Sequence, residues 1–232
     1  MYLSELLKSV GKKYQKVYVK GICFDSRKAK KNDIFFAIKG NEISGTKFIQ
    51  NTILKKVSAI VVDSKIKFKD LQVPLLRVRD VRKSLSEACS NFYKKKPSYI
   101  VVVTGTNGKT SVANFFFKLF KLNKIHAASI GTLGIESNLF KKTTNLTSPD
   151  PLLLHKSLSG LKKRGINIVV LEASSHGLDQ KRLDYILFKA AVFTNLSRDH
   201  LDYHKNMNRY LNSKLYLFNN LLNEKKFCIT DK

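Results

Sequence analysis

The stretch that decides the fold of this chain is Val101-Val-Val-Thr-Gly-Thr-Asn-Gly-Lys-Thr-Ser111. An apolar, β-branched run over residues 99–103 predicts a strand, and a glycine-containing turn separates it from an amphipathic helix predicted over 110–122. Such a loop directs backbone N–H groups and a helix N-terminus at one point, which suits a polyphosphate. Lys109 can then reach the β- and γ-phosphates, and the Thr110 hydroxyl can bind Mg²⁺. The usual P-loop spacing requires glycine at position 103, where this chain has valine, so Gly105 and Gly108 supply the flexible positions.

Length and composition indicate a globular protein with one large or two ordinary domains in 232 residues. The uninterrupted apolar runs are only several residues long, so we expect no membrane span. The N-terminal segment lacks the apolar core of a signal peptide and predicts a short helix. Three cysteines, Cys23, Cys89 and Cys228, lie far apart. They predict neither a disulfide framework nor a metal site, which favours the cytoplasm.

The net charge of +26 raises the hypothesis of a nucleic-acid ligand. However, the chain contains 35 lysines and 8 arginines, and the lysines are spread along its length. Bidentate phosphate contacts and base contacts favour arginine. Solvated surface charge therefore explains the composition better. A P-loop nucleic-acid-binding ATPase stays open as an alternative function.

The order of predicted elements indicates an α/β fold with two domains. Strand-like segments occur over 17–24, 34–38, 59–62 and 75–78, and a polar, proline-containing break follows at 94–98. Beyond it, predicted strands (99–103, 126–130, 167–171, 190–194, 227–230) alternate with predicted helices (110–122, 151–164, 207–222), which indicates parallel βαβ units. We predict a small N-terminal α/β domain over 1–95. A mostly parallel, doubly wound P-loop ATPase domain follows over 96–232, and we expect it to be incomplete because such a sheet would normally continue.

Polar segments follow the predicted strands at the edge where ligands of such sheets collect. In Leu171-Glu-Ala-Ser-Ser-His-Gly-Leu-Asp-Gln-Lys-Arg182, Glu172 is suited to hold a metal ion on ATP phosphates, and Arg182 suits a carboxylate or phosphate. The segment Thr143-Thr-Asn-Leu-Thr-Ser-Pro-Asp150 offers hydroxyl groups before a helix.

Four titratable residues occur within six positions of the segment from Phe193 to His204: Asp199, His200, Asp202 and His204. One interpretation is a transition-metal site, although the absence of accompanying cysteines leaves zinc unsupported. The other is that one histidine and carboxylates bind Mg²⁺ and orient a substrate.

Taken together, these segments resemble the Mur ligase family, and the resemblance runs from Asp25-Ser26-Arg27 to Lys214. The loop from Thr104 to Thr110 resembles the family's ATP loop, and the two segments after the later strands are more specific. The resemblance implies an ATP- and Mg²⁺-dependent ligase of peptidoglycan synthesis, in which the domain over 1–95 is a substrate domain that binds UDP. The expected reaction adds a diamino acid, meso-diaminopimelate or lysine with the former preferred, to UDP-N-acetylmuramoyl-L-alanyl-D-glutamate through an acyl phosphate.

The resemblance also implies limits on this chain. A C-terminal domain that binds the incoming amino acid is expected to be absent, so the chain alone is expected to be an incompetent ligase. We expect a monomer. A non-catalytic module that binds the UDP-muramoyl-peptide is the second alternative.

Site residues carried over by motif fall into four groups: ATP-binding, catalytic, metal-ligating and substrate-binding. The expected ATP-binding residues are Gly105, Thr106, Asn107, Gly108, Lys109, Thr110 and Ser111. The expected catalytic residues are Lys109, Glu172, His200 and Lys214, with Lys214 carbamylated, and the expected metal ligands are Thr110, Glu172, His200 and Lys214. The expected substrate-binding residues are Ser26 and Asn41 near the uridine, and Thr147, Ser148, Ser174, Gln180 and Arg182 for the muramoyl-dipeptide.

Overall fold

A computed structural model describes residues 1–40, 43–67, 71–222 and 226–230. The chain divides into two units, Met1–Phe92 and Tyr93–Lys232. Both units contain mainly parallel strands with helices, and the predicted α/β fold class is confirmed. Within the described ranges, no helix is long and apolar enough to cross a lipid bilayer.

The first unit is built on a four-stranded parallel sheet whose strands follow one another in chain order: β1 (Gly21–Cys23), β2 (Asp33–Phe36), β3 (Ala59–Asp63) and β4 (Leu75–Val78). Its helices are α1 (Leu3–Leu6), α2 (Ile49–Leu54) and α3 (Val81–Phe92), with 3₁₀ turns at Lys12–Tyr14, Ser26–Lys28 and Gly45–Phe48. Side chains such as Phe35, Ile60 and Val62 are buried in one of its apolar clusters.

The strand predicted over 17–24 is longer than the strand observed. Val17 and Val19 have β-branched side chains, but their backbones bond to the N-terminal segment instead of the sheet. The Val17 carbonyl accepts from Leu3 N, and Val19 N donates to the Met1 carbonyl. Only Gly21–Cys23 pairs with β2.

The second unit contains a seven-stranded sheet in the order β11-β10-β5-β9-β6-β7-β8. Its strands are β5 (Tyr99–Thr104), β6 (Ala127–Gly131), β7 (Gly134–Ser137), β8 (Lys141–Lys142), β9 (Ile168–Glu172), β10 (Ala190–Phe193) and β11 (Phe227–Thr230). Its helices are α4 (Lys109–Leu122), α5 (Pro151–Lys163), α6 (Ser175–Asp179), α7 (Leu201–His204) and α8 (Met207–Tyr216), and a π-helical turn at Leu217–Leu221 extends α8.

Five strands of this sheet are parallel, and an antiparallel hairpin of β7 and β8 extends one edge. Alternating side chains of β5 point to opposite faces. Val102 belongs to a cluster that includes Leu154 and Leu158 of α5, whereas Val103 packs with Phe117 of α4. Both faces of β5 are therefore covered. The loop that follows this strand lies at the carboxyl edge of the sheet.

Candidate active site

The loop between β5 and α4 has a backbone that requires glycine at two positions. Gly105 has a φ of 144°, and a Cβ added there would lie 1.9 Å from Thr194 Oγ1. Gly108 has a φ of 81° and caps the N-terminus of α4. Glycine adopts such angles at little cost, and the first amides of a helix have no partner within it. The loop therefore presents the N-terminus of α4 to the site, which is an arrangement suited to phosphate.

Residues that follow β10 hold this loop in place. The Thr106 amide donates to the Asn195 carbonyl at 2.9 Å, and the Asn107 amide donates to Asn195 Oδ1 at 2.9 Å. Thr194 Oγ1 donates to the Asn107 carbonyl at 2.6 Å. Ser197 N donates to Thr106 Oγ1 at 2.9 Å. Because β10 pairs directly with β5, the two carboxyl ends brace each other.

Two lysine amines share one loop carbonyl. Lys109 Nζ donates to the carbonyls of Gly105 and Thr106 at 3.0 and 2.7 Å, and Lys214 Nζ donates to the Gly105 carbonyl at 2.6 Å. Lys214 is 1% exposed, and its amine also lies 4.3 Å from the centre of the Tyr210 ring. Burial first, and the charge of Lys109 second, lower the pKa of Lys214 to about 7. Burial also lowers the pKa of Lys109.

Glu172 is a buried carboxylate at the end of β9, and it accepts hydrogen bonds on both oxygens. Thr110 Oγ1 donates to Oε2 at 2.8 Å, and Thr132 donates through its amide to Oε1 at 3.0 Å and through its hydroxyl to Oε2 at 3.2 Å. Gly131 leaves room for this side chain, since a Cβ there would lie 2.0 Å from Glu172 Oε1. None of the ion pairs in the described part of the chain involves Glu172.

Serine hydroxyls and an arginine continue the site beyond Glu172. Ser148 Oγ donates to the Glu172 carbonyl at 2.9 Å and accepts from Ser174 N at 2.9 Å. Arg182 donates through Nη1 to the Ser148 carbonyl at 2.7 Å and through Nη2 to Gln180 Oε1 at 2.7 Å. Thr147 Oγ1 lies 3.0 Å from Thr132 Oγ1. The predicted dipeptide-binding residues of this unit are therefore linked to one another and to Glu172.

A cluster of aromatic rings occupies the other side of the site. The His176 ring contacts His200, Tyr203 and His204, with centroid distances of 4.8, 4.2 and 5.5 Å. His200 has a φ of 50°, and its Nε2 lies 3.5 Å from Asp199 Oδ2. Across the residues that the structure describes, no group of three or more His, Cys, Asp or Glu side chains could hold a metal ion. The interpretation of the 199–204 segment as a transition-metal centre therefore receives no support.

One cavity of about 260 Å³ brings many of the predicted residues together. Its walls include Thr106, Asn107, Gly108, Lys109, Thr110, Ser111, Thr147, Ser174, His200 and Lys214. Glu172 contacts this cavity through Thr110 and Thr132. Ser26 belongs to the first unit, where its carbonyl accepts from Lys55 Nζ at 2.8 Å. Asn41 lies outside the described residues.

Sequence patterns missed three residues that shape this cavity. Thr132 binds Glu172, Asn195 binds the loop, and the buried Tyr210 hydroxyl lies 3.0 Å from Thr106 Oγ1. Thr132 and Asn195 each follow a strand shortly after its carboxyl end, so the rule that selected Glu172 could have selected them. Tyr210 precedes Lys214 by one helical turn, and that spacing is its only signal.

Comparison with known proteins gives two family matches. Residues 103–232 match the family model of the Mur ligase middle domain, and residues 18–93 match the model described as Mur ligase family, catalytic domain. A UDP-N-acetylmuramoyl-L-alanyl-D-glutamate–2,6-diaminopimelate ligase of Brucella melitensis is 42% identical over 206 residues, which cover 89% of this chain and 42% of the relative. The ligase of the same name from Rickettsia felis is 42% identical over 209 residues, with 88% and 39% covered.

Solved structures agree with these matches. The structure of a UDP-N-acetylmuramoyl-L-alanyl-D-glutamate–2,6-diaminopimelate ligase has a TM-score of 0.78 at 30% identity, and the match covers 95% of this chain and 45% of that chain. The structure of the MurF ligase of Thermotoga maritima in complex with ADP has a TM-score of 0.60 at 20% identity, and the match covers 92% of this chain and 45% of that chain. This likeness shows a shared fold. The chain thus spans about two fifths of the length of these curated relatives.

Proposed function

The chain belongs to the Mur ligase family, and from this premise we propose that it is the ATP- and substrate-binding part of a ligase of peptidoglycan synthesis. The proposed acceptor is UDP-N-acetylmuramoyl-L-alanyl-D-glutamate, and the proposed incoming amino acid is meso-diaminopimelate, as the names of the relatives suggest. The observation that carries this proposal is the single cavity that unites the β5–α4 loop with Thr147, Ser174, His200 and Lys214.

In the proposed site, ATP lies against the loop from Gly105 to Ser111. The N-terminus of α4 and the Lys109 amine supply positive charge for the phosphates. The brace between Asn107 and Asn195 supports this role, because a loop that is held before binding loses less conformational entropy when it binds.

We further propose that Thr110, Glu172, His200 and Lys214 hold Mg²⁺. Glu172 fits this role because its buried carboxylate lies at the carboxyl end of β9, within hydrogen-bond distance of the Thr110 hydroxyl, and oxygen donors are the ligands that Mg²⁺ prefers. When bound, Mg²⁺ would neutralise phosphate charge during the reaction.

Lys214 would contribute to this site as a carbamate. Its pKa of about 7 supports this, because the neutral amine is the form that reacts with CO₂. The nitrogen of the neutral amine forms a bond to the carbon of CO₂ and loses a proton to solvent, so that the neutral side chain becomes an anion. The charge of Lys214 would then suit a cation rather than oppose one.

The proposed substrate contacts are Thr147, Ser148, Ser174, Gln180 and Arg182, with Ser26 and Asn41 near the uridine. The Arg182 guanidinium would bind the D-glutamate carboxylate, since its fork geometry matches that group. The carboxylate oxygen attacks the γ-phosphorus of ATP, ADP leaves, and an acyl phosphate forms. The amine of the diamino acid then attacks the acyl carbon, inorganic phosphate leaves, and the amide bond results.

Calorimetric titration of the chain tests this proposal. UDP-N-acetylmuramoyl-L-alanyl-D-glutamate is expected to bind with one-to-one stoichiometry, and UDP-N-acetylmuramoyl-L-alanine, which lacks the D-glutamate, is expected to bind more weakly. Arg182→Ala should remove most of the difference between the two ligands. The absence of binding to either ligand would contradict the proposal. A steeply salt-dependent affinity for DNA or RNA would instead favour the nucleic-acid alternative.

A further inference from the structure

Tyr203 joins the two sides of the site through a directed chain of hydrogen bonds. Its hydroxyl donates to Asp179 Oδ2 at 2.8 Å and accepts from Gln180 Nε2 at 3.2 Å. Gln180 Oε1 accepts from Arg182 Nη2 at 2.7 Å, and Arg182 Nη1 donates to the Ser148 carbonyl at 2.7 Å. The ring of Tyr203 also packs on His176, with centroids 4.2 Å apart.

Asp179 sets the direction of this series of hydrogen bonds. A carboxylate only accepts hydrogen bonds, so the Tyr203 hydroxyl donates to it and turns its oxygen lone pairs toward Gln180. Gln180 must then present its NH₂ group to Tyr203, which leaves its carbonyl oxygen for Arg182. Hydrogen bonds that run in one direction polarise one another. The Tyr203 hydroxyl therefore selects one orientation of the Gln180 amide, and that orientation is the one that holds the guanidinium of Arg182.

We propose that Tyr203 is a positioning residue for the acceptor substrate, acting through Gln180 on Arg182. The inference rests on the proposed function, in which Arg182 binds the D-glutamate carboxylate. Tyr203 itself is proposed to touch no reacting atom. Tyr203 belongs to α7, the helix that begins directly after His200. The segment that contains a proposed metal ligand is therefore also proposed to orient the Arg182 side chain.

Tyr203→Phe tests the proposal, because this variant keeps the ring on His176 and removes only the hydroxyl. Its affinity for UDP-N-acetylmuramoyl-L-alanyl-D-glutamate is expected to fall about tenfold, since one or two of the hydrogen bonds that connect Asp179 to Arg182 are lost. Its affinity for a non-hydrolysable ATP analogue with Mg²⁺ should stay within about twofold of the wild-type chain. Tyr99→Phe is the matched control, because Tyr99 lies in the same unit and is 58% exposed.

A double-mutant cycle separates this role from a structural one. If Tyr203 acts through Gln180, Tyr203→Phe should have no further effect on substrate affinity in a Gln180→Ala background. Additive effects, an unchanged affinity in the single variant, or equal weakening of both ligands with a lowered melting temperature would each overturn the proposal. If the wild-type chain fails to bind the UDP-dipeptide at all, the proposed function fails instead, and the two failures are thereby distinguished.

Discussion

Replacing Gly105 with alanine is expected to destabilise the second unit and to abolish nucleotide binding. The residue has a φ of 144°, and the new Cβ would lie 1.9 Å from Thr194 Oγ1 and 3.0 Å from Asn195 N. The backbone strain contributes about 1–3 kcal/mol. Displacing the Thr194 hydroxyl from the Asn107 carbonyl contributes about 1 kcal/mol more. We therefore expect the free energy of unfolding of this unit to fall by about 3 kcal/mol.

Urea denaturation followed by circular dichroism measures this change, and calorimetry with an ATP analogue measures the loss of binding. Gly165→Ala is the matched control, because Gly165 also has a positive φ of 80° but has nothing within 4 Å of the added Cβ. That variant should lose only about 1 kcal/mol. In Gly105→Ala/Thr194→Ala, part of the stability should return because the closest contact is removed. A Gly105→Ala chain with the stability of the Gly165→Ala control and normal nucleotide affinity would refute the packing argument.

Three further substitutions have outcomes that depend on buried titratable groups. Glu172→Gln should weaken Mg²⁺-dependent binding of the ATP analogue at least about tenfold, because the side chain keeps its size but loses the charge of a proposed metal ligand. A lowered melting temperature with normal binding of the analogue would contradict this prediction. Lys214→Met should raise the melting temperature in CO₂-free buffer most below pH 7. Burial lowers the pKa of Lys214 in the folded chain from 10.5 to about 7, so the destabilisation by its buried charge is complete below pH 7 and decreases as the pH rises toward 10.5. A gain in melting temperature that grows with pH would contradict this prediction. His155→Leu should stabilise the chain against acid denaturation. Burial lowers the pKa of His155 from 6.5 to about 3, so the wild-type chain loses stability as the pH falls from 6.5 to 3. Equal gains in melting temperature at pH 5 and pH 8 would contradict this prediction.

Much of the second unit could be predicted from apolar runs because the strands at the centre of its sheet, β5, β6 and β9, are largely buried. β5 differs from its predicted range by one terminal residue, and the exposed strand Phe227–Thr230 matches its predicted range. The hairpin of β7 and β8 could not be found in this way. Lys141 and Lys142 have no strand-like composition, and they pair with Glu136 and Ile135 only because β7 already lies at the edge of the sheet.

The candidate site divides along a similar line. Thr110 and Glu172 can be predicted because polar residues that follow parallel strands meet at one edge, whereas His200 is singled out from its titratable neighbours by the family resemblance. In the structure Thr110 and His200 line the cavity, and Glu172 accepts a hydrogen bond from Thr110. Tyr210 and Tyr203 escaped prediction because their roles depend on contacts between distant segments, which one sequence does not specify. The low pKa of Lys214 likewise arises from burial and from Lys109, and neither is visible in the residues beside it.

We expect the D-glutamate carboxylate and the ATP phosphates to meet in one cavity of the second unit. The most direct test is nuclear magnetic relaxation of UDP-N-acetylmuramoyl-L-alanyl-D-glutamate bound together with an ATP analogue, with Mn²⁺ in place of Mg²⁺. Paramagnetic relaxation falls steeply with distance. We therefore expect strong, selective relaxation of the D-glutamate methylene protons, and this relaxation should disappear in the Lys109→Ala variant. If Mn²⁺ leaves the relaxation of these protons unchanged in a complex that calorimetry shows to be saturated with both ligands, the proposed shared cavity is contradicted.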